Sequence, residues 1–236
     1  MKRFFDMAIC LTLVGATAPA LAAGVTGSTS AIFVNPKPGT AVVTGVGTSH
    51  FTYGDPIGFS TPNELSFASA AFSSDYETPF KVGTLTYTNG SIAGGTEAAS
   101  VDVALTLAFA TPAIPAVASI FTLDLVNTPN TSDPIASADY VYFPSSYSAT
   151  DFVIGGTTYH VALTGFGNVV GDGFLASDSS ELHVLEGASA TADLFAVVTS
   201  HAPGAVPEPA SWAMFIGGFA LVGGAMRDRR RMQAIA

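Results

Sequence analysis

Between its two ends the chain alternates apolar and polar residues with a period of two, the spacing that sends successive side chains to opposite faces of a β-strand. The clearest run is SVDVALTLAFA, where Val101, Val103, Leu105, Leu107 and Phe109 alternate with Asp102, Ala104, Thr106 and Ala108. SIFTLDLVN repeats the pattern with Phe121, Leu123 and Leu125. In DFVI-GG-TTYHVAL, Gly155 and Gly156 supply the positive backbone angles of a two-residue hairpin turn. Further strands are predicted at AVVTGV, SHFTY, ELSFASAAF, PFKVGTLTYT, DYVYF, ELHVLE and DLFAVVTS. About ten short strands separated by Gly, Pro, Asn, Asp and Ser clusters predict an all-β fold, a jelly-roll-like β-sandwich, with a closed barrel as the nearest alternative. No repeat of fixed period is present, which argues against a propeller or β-helix.

The two ends read differently. MKRFFDMAICLTLVGATAPALAAG has a basic start at Lys2 and Arg3, a short apolar stretch and a small-residue exit at Ala20-Leu21-Ala22, the features of a secretory signal peptide. Residues 1–22 are expected to be removed, leaving a β domain over 23–200 and a linker over 201–209 in which Pro203 and Gly204 stop the last strand. From Ala210 to Met226 no residue is charged. As a helix this stretch spans roughly 25 Å, just enough to cross a bilayer. Trp212 stands at one end, suited to the interface, and Arg227, Arg229, Arg230 and Arg231 stand at the other, where a basic tail over 227–236 stays cytoplasmic. Pro207-Glu208-Pro209 precedes the helix and holds the chain extended and accessible.

Charge narrows the function classes. Residues 23–206 hold two basic residues, Lys37 and Lys81, against fifteen acids, a formal charge of −13. Such a surface repels phosphate backbones and argues against a nucleic-acid partner. The sole cysteine, Cys10, lies inside the signal, so the exported part has no thiolate metal site and no disulfide.

Candidate chemistry in the body is sparse. His50 lies near Ser49 and Asp55, but no GxSxG-like elbow accompanies them, and a hydrolase needs one or an equivalent sharp turn. His160 and His183 fall in the polar phase of their strands and His201 in the linker. Fifteen acids offer many accidental carboxylate pairs, and the separation a glycosidase needs is a property of the fold. The turn GDGFLASDSSE carries Asp172, Asp178 and Glu181, a possible set of oxygen ligands for calcium, without the alternating pattern of an EF-hand. Otherwise no cofactor is expected. Tyr140, Tyr142 and Tyr147 with Phe143 offer an aromatic platform for sugars, weighed against an ordinary division into core and rim.

VPEPASWAMFIGGFALVGGAMRDRRR resembles the PEP-CTERM sorting signal, in the variant where a Trp-Ala pair, here Trp212-Ala213, follows the PEP. The resemblance implies recognition by an exosortase, cleavage near Pro207-Glu208-Pro209, and only transient residence in the inner membrane. It further implies a Gram-negative producer of exopolysaccharide, with the processed protein at the cell surface or in the extracellular matrix. The body, through VTGVGTSHFTYGD, PFKVGTLTYTNGSI and FVIGGTTYHVALTGF, is similar to the choice-of-anchor K type of extracellular domain. That family brings no catalytic residues. The expected role is non-enzymatic, structural or adhesive, with a carbohydrate-binding module, calcium-assisted or not, as the alternative and a polysaccharide-modifying enzyme third.

Overall fold

A computed structural model describes residues 24–176, 180–201 and 216, and its regular structure is almost wholly β. Among these residues twelve strands follow one another: β1 (Gly24–Lys37), β2 (Val43–Thr44), β3 (His50–Tyr53), β4 (Asn63–Ser69), β5 (Ala71–Asp75), β6 (Phe80–Thr88), β7 (Ser100–Thr111), β8 (Val117–Val126), β9 (Asp139–Tyr142), β10 (Ala149–Ile154), β11 (Thr157–Ala176) and β12 (Glu181–His201). They pair antiparallel in the order β2-β3-β4-β6-β12-β9-β8-β7-β1-β5, with β11 along the other edge of β12 and β10 outside β11.

This order forces the sheet to curl. β4 and β5 belong to opposite ends of it, yet Ala70 alone separates them in sequence. Where the ends meet, the Thr29 amide donates to the Ala70 carbonyl at 3.0 Å and the Thr29 hydroxyl to the Val82 carbonyl at 2.6 Å. Further along β1, Phe33 N donates to Thr48 O at 2.8 Å and Gly47 N to Phe33 O at 2.7 Å. The curl encloses one apolar core drawn from both halves of the sheet, including Phe33, Phe51, Leu65, Leu85, Leu123 and Leu194. Each such side chain contributes about 1.5–3 kcal/mol on burial.

The strongest sequence patterns land where expected. β7 buries Val101, Val103, Leu105 and Leu107, and β8 alternates buried and exposed positions along its whole length. Gly155 and Gly156 turn β10 into β11 with φ of 58° and 83°, and Ile154 faces Thr157 across the turn. Three features differ from the expectation. ELSFASAAF, expected as one strand, is divided at Ala70 between β4 and β5. ELHVLE and DLFAVVTS form one continuous strand, β12, which runs on through His201, a residue expected in the linker. β1 lies outside the predicted set because Gly27 and Thr29 stand at inward positions where an alternation test looks for large apolar residues.

The small residue at Gly27 is required by contact. A Cβ there would run into the Ala108 carbonyl and the Phe72 ring, so β1, β7 and β5 approach only because it is absent.

The expected signal peptide (1–22), the PEP element and the basic tail lie outside the described residues. So does the expected membrane helix (210–226), apart from the exposed Ile216. Among the described residues no helix is long and apolar enough to cross a membrane.

On the outer face, Asp193 of β12 ties three strands together. Lys81 Nζ lies 2.7 Å from its Oδ1, Thr84 donates to Oδ1 at 2.8 Å, and Asn168 donates to Oδ2 at 3.2 Å. Burial pushes the Asp193 carboxyl up, but these three donors and the Lys81 charge outweigh it and hold the group below its ordinary range. Lys81 is 45% exposed, so solvent screens part of the pair.

Asp193→Asn is expected to cost about 1 kcal/mol at neutral pH, read from urea midpoints. A carboxyl with a lowered folded-state value stabilises fully above its unfolded pKa of about 3.9, and loses that contribution as pH falls through the folded value. The gap between wild type and variant therefore closes in acid; a gap that persists there excludes the ionic origin. Gly27→Ala is expected to cost about 1–3 kcal/mol by the same measurement through overpacking, and an unchanged midpoint shows that the strands part without strain.

Candidate functional site

β12 is the only described strand that shares one edge between two distant neighbours. As far as Val184, which faces Asp139, that edge pairs with β9; from Ser189, which faces Thr88, it pairs with β6. On the opposite edge the β11 register slips at the same place, with Asp172 facing Ser189 and Phe174 facing Val184. The segment 185–188 therefore bulges between two ladders, with Gly187 at φ 71°.

Asn89, just past the end of β6, fills the gap. Its amide donates to Ala188 O at 2.9 Å, its carbonyl accepts from Gly187 N at 2.8 Å, and its Nδ2 donates to Val184 O at 2.9 Å. Around it lies a buried polar cluster. Asp139 is 1% exposed and Asn63 and Asn89 are fully buried. Asp139 Oδ1 accepts from the Thr128 amide at 2.8 Å, and Oδ2 takes long bonds from Tyr87 Oη at 3.3 Å and Asn63 Nδ2 at 3.4 Å. Tyr53 Oη donates on to Tyr87 Oη at 3.4 Å, and Asn63 Oδ1 accepts from Gly90 N at 2.6 Å.

Electrostatics mark the same place. Burial pushes the Asp139 carboxyl up to about 6 against the pull of the Thr128 amide, and the Glu186 charge adds to the rise. Burial also pushes the Tyr53 and Tyr87 hydroxyls well above their ordinary value. Three oxygens are left over: Asn89 Oδ1 and both carboxylate oxygens of Glu186 are buried and accept no hydrogen bond.

The aromatic platform is regrouped. Tyr140 and Tyr142 share the outer face of β9, their rings parallel within 2° and 5.5 Å apart, and Tyr142 is 37% exposed. His183, directly across on β12, completes the stack 3.9 Å from Tyr140. Burial lowers the His183 pKa, while the Glu181 charge pulls the other way. Phe143 and Tyr147 do not join this stack. Together with Leu163 and Phe166 they line a separate groove of about 380 Å³, Phe143 stacking on Phe166 at 4.1 Å. The Tyr147 hydroxyl is buried there without a partner.

The other candidates resolve as surface pairs. His50 Nε2 lies 2.9 Å from Glu64 Oε1, and His160 Nδ1 lies 2.5 Å from Asp151 Oδ1, both on exposed strand faces. Of the acidic turn, Glu181 sits on β12 facing Tyr142, while Asp178 and the Asp172 side chain lie outside the described residues. Among the described residues no three His, Asp and Glu side chains converge.

The sequence reading passed over Asn63, Asn89, Asp139 and Glu186. The signal was there in the phase: Leu182, Val184 and Glu186 alternate on one face, as do Leu85, Tyr87 and Asn89. A polar residue in the inward phase of a strand is the exception worth pursuing.

No curated protein matches the chain. The family model described as the PEP-CTERM protein-sorting motif matches residues 205–231, and through that motif, the recognition signal of an exosortase, the chain is directed to the cell envelope.

Proposed function

We propose that this is an exosortase-processed surface or extracellular-matrix protein whose acidic β body has a non-enzymatic, structural or adhesive role linked to exopolysaccharide. The sorting motif at 205–231 carries this reading. The order of its parts supports processing over lasting anchorage: prolines 207 and 209 expose a cleavable stretch, a short uncharged span follows, and four arginines hold the far end inside. The resemblance to the Trp-Ala form of the signal and to the choice-of-anchor K body belongs to the same proposal, as do removal of residues 1–22 and a Gram-negative host. The two halves of the curled sheet pack as a jelly-roll-like sandwich in this reading, which is supported by the single core they share.

The alternative, a carbohydrate-binding body, is favoured by one observation. Tyr140, Tyr142 and His183 form a ring stack on the outer face of the sheet, and aromatic faces are what sugar C–H surfaces pack against. A polysaccharide-modifying enzyme stands third, with His50 and His160 engaged in surface pairs and His183 in ring stacking.

Replacing Pro207, Glu208 and Pro209 by alanine is expected to leave an uncleaved, membrane-held chain. Intact mass of the wild-type product is expected to begin near Ala23 and end near the PEP element. A mature wild-type mass that includes Arg231, or a variant that matures normally, refutes processing at this motif. In a pull-down on the producer's purified exopolysaccharide, Tyr142→Ala is expected to weaken retention by about tenfold, the worth of one stacking contact of 1–1.5 kcal/mol. If the wild-type chain is not retained, with or without chelator, the carbohydrate-binding alternative fails and the structural role stands.

A further inference from the structure

At the β12 bulge, Asn89 Oδ1 and both carboxylate oxygens of Glu186 are buried and unpaired. Asp139 and Glu186 lie in the same inward phase of neighbouring strands: Asp139 faces Val184, and Glu186 is the next inward residue on β12, the diagonal neighbour across the ladder. Asn89 is held against the same stretch by bonds to Val184, Gly187 and Ala188, which spend its Nδ2, N and O and leave Oδ1 as its one unused acceptor. A fully buried amide oxygen without a donor is destabilising, and a carboxylate with both oxygens shielded and unpaired is more so. The nearby hydroxyls and amides do not relieve them: Tyr87 and Asn63 donate to Asp139, and Asn89 donates away to Val184. Among the described residues no cationic side chain pairs with either acid, and Lys81, one of the body's two lysines, is committed to Asp193 on the outer face.

We propose that Asp139, Glu186 and Asn89 Oδ1 bind a divalent cation of calcium's class at the point where β12 changes partners. Two carboxylates and an amide oxygen form a hard, all-oxygen donor set, which suits calcium and does not suit zinc or copper. The cation would neutralise two like charges held together in the interior, and water or main-chain carbonyls of the bulge would complete its shell. Glu181, which faces Tyr142 across the ladder, takes no part in this site.

The test uses the full chain recovered from its host and stripped with chelator. Calorimetric titration with calcium is expected to give one site per chain, in the 10⁻⁴–10⁻³ M range of extracellular modules or tighter. At a hundredfold excess over Kd, the melting temperature is expected to rise by about 5–10 °C. Terbium, taken as a calcium substitute, is expected to luminesce on tyrosine excitation, because Tyr87 hydrogen-bonds to Asp139. Glu186→Gln, which keeps the side-chain volume, is expected to weaken calcium binding by at least about tenfold and to abolish the terbium signal, while Asp178→Asn and Glu181→Gln leave both intact. The proposal is overturned if the wild-type chain neither binds nor is stabilised by calcium, or if Glu186→Gln titrates as the wild type does. It is equally overturned if the Asp178 and Glu181 variants, and not Glu186→Gln, remove the response. Because the wild-type titration stands alone, a variant that fails to fold does not rescue the idea.

Discussion

Strand β12 offers one hydrogen-bonding edge to two neighbours, β9 as far as Val184 and β6 from Ser189 onward, and the main-chain groups between them have to be paired inside the protein. Neither neighbour reaches Leu185–Ala188, so Asn89 pairs its two main-chain groups with Gly187 and Ala188 and its Nδ2 with Val184, the residue just before the segment. The rest of the architecture depends on this junction. β9, β8, β7 and β1 hang from one side of it, β6, β4 and β3 from the other, and the curl that brings β5 and β4 together at Ala70 requires that the two sides diverge from a common strand. A sheet cannot split along a strand without exposing backbone at the split. Here the repair is made with polar side chains, and the same repair gathers the buried carboxylates.

The composition leaves little else to hold the body together. With no cysteine after Cys10 and only two lysines between residues 23 and 206, neither disulfides nor a network of surface ion pairs can carry its stability. Burial does the work, through one core that spans both halves of the curl. The acids are then mostly a surface property, and a net charge of one sign disfavours self-association. Asp139 and Glu186 both sit at the junction, with their carboxylate oxygens shielded from solvent.

Much of the strand content was legible because long runs such as Val101 to Phe109 bury alternate residues, and period-two spacing has one geometric meaning. The Gly155-Gly156 turn was legible for a different reason, since few residues other than glycine accept positive φ at two successive positions. β1 escaped because close contact with Phe72 and Ala108 replaced large inward residues by Gly27, and small residues carry no periodic signal. The continuity of β12 escaped because Glu186 and Gly187 look like a loop, and their role as a bulge between two ladders appears only once β6 and β9 are in place. The polar cluster escaped for the most general reason. Asn63, Asn89, Asp139 and Glu186 are far apart in sequence and are brought together by non-local pairing, which no local pattern encodes. The sorting motif is the opposite case: its parts follow one another within residues 205–231, so a local pattern encodes it.

The short strand β9 links the two places where this body has chemistry. Its four residues alternate, with Asp139 and Val141 inward and Tyr140 and Tyr142 outward, so the buried carboxylate and the exposed ring stack are opposite faces of one piece of backbone. The same holds on β12, where His183 faces out beside Tyr140 while Val184 faces in beside Asp139. Pleating makes this coupling unavoidable, since a strand cannot shift its inner side chain without carrying the outer one along. Asp139 is held by the Thr128 amide on one oxygen and by two long bonds on the other, so the anchoring of β9 at this end is only as firm as that second oxygen's partners. Whatever satisfies the inner face therefore also sets how rigidly the Tyr140, Tyr142 and His183 rings are presented to the outside.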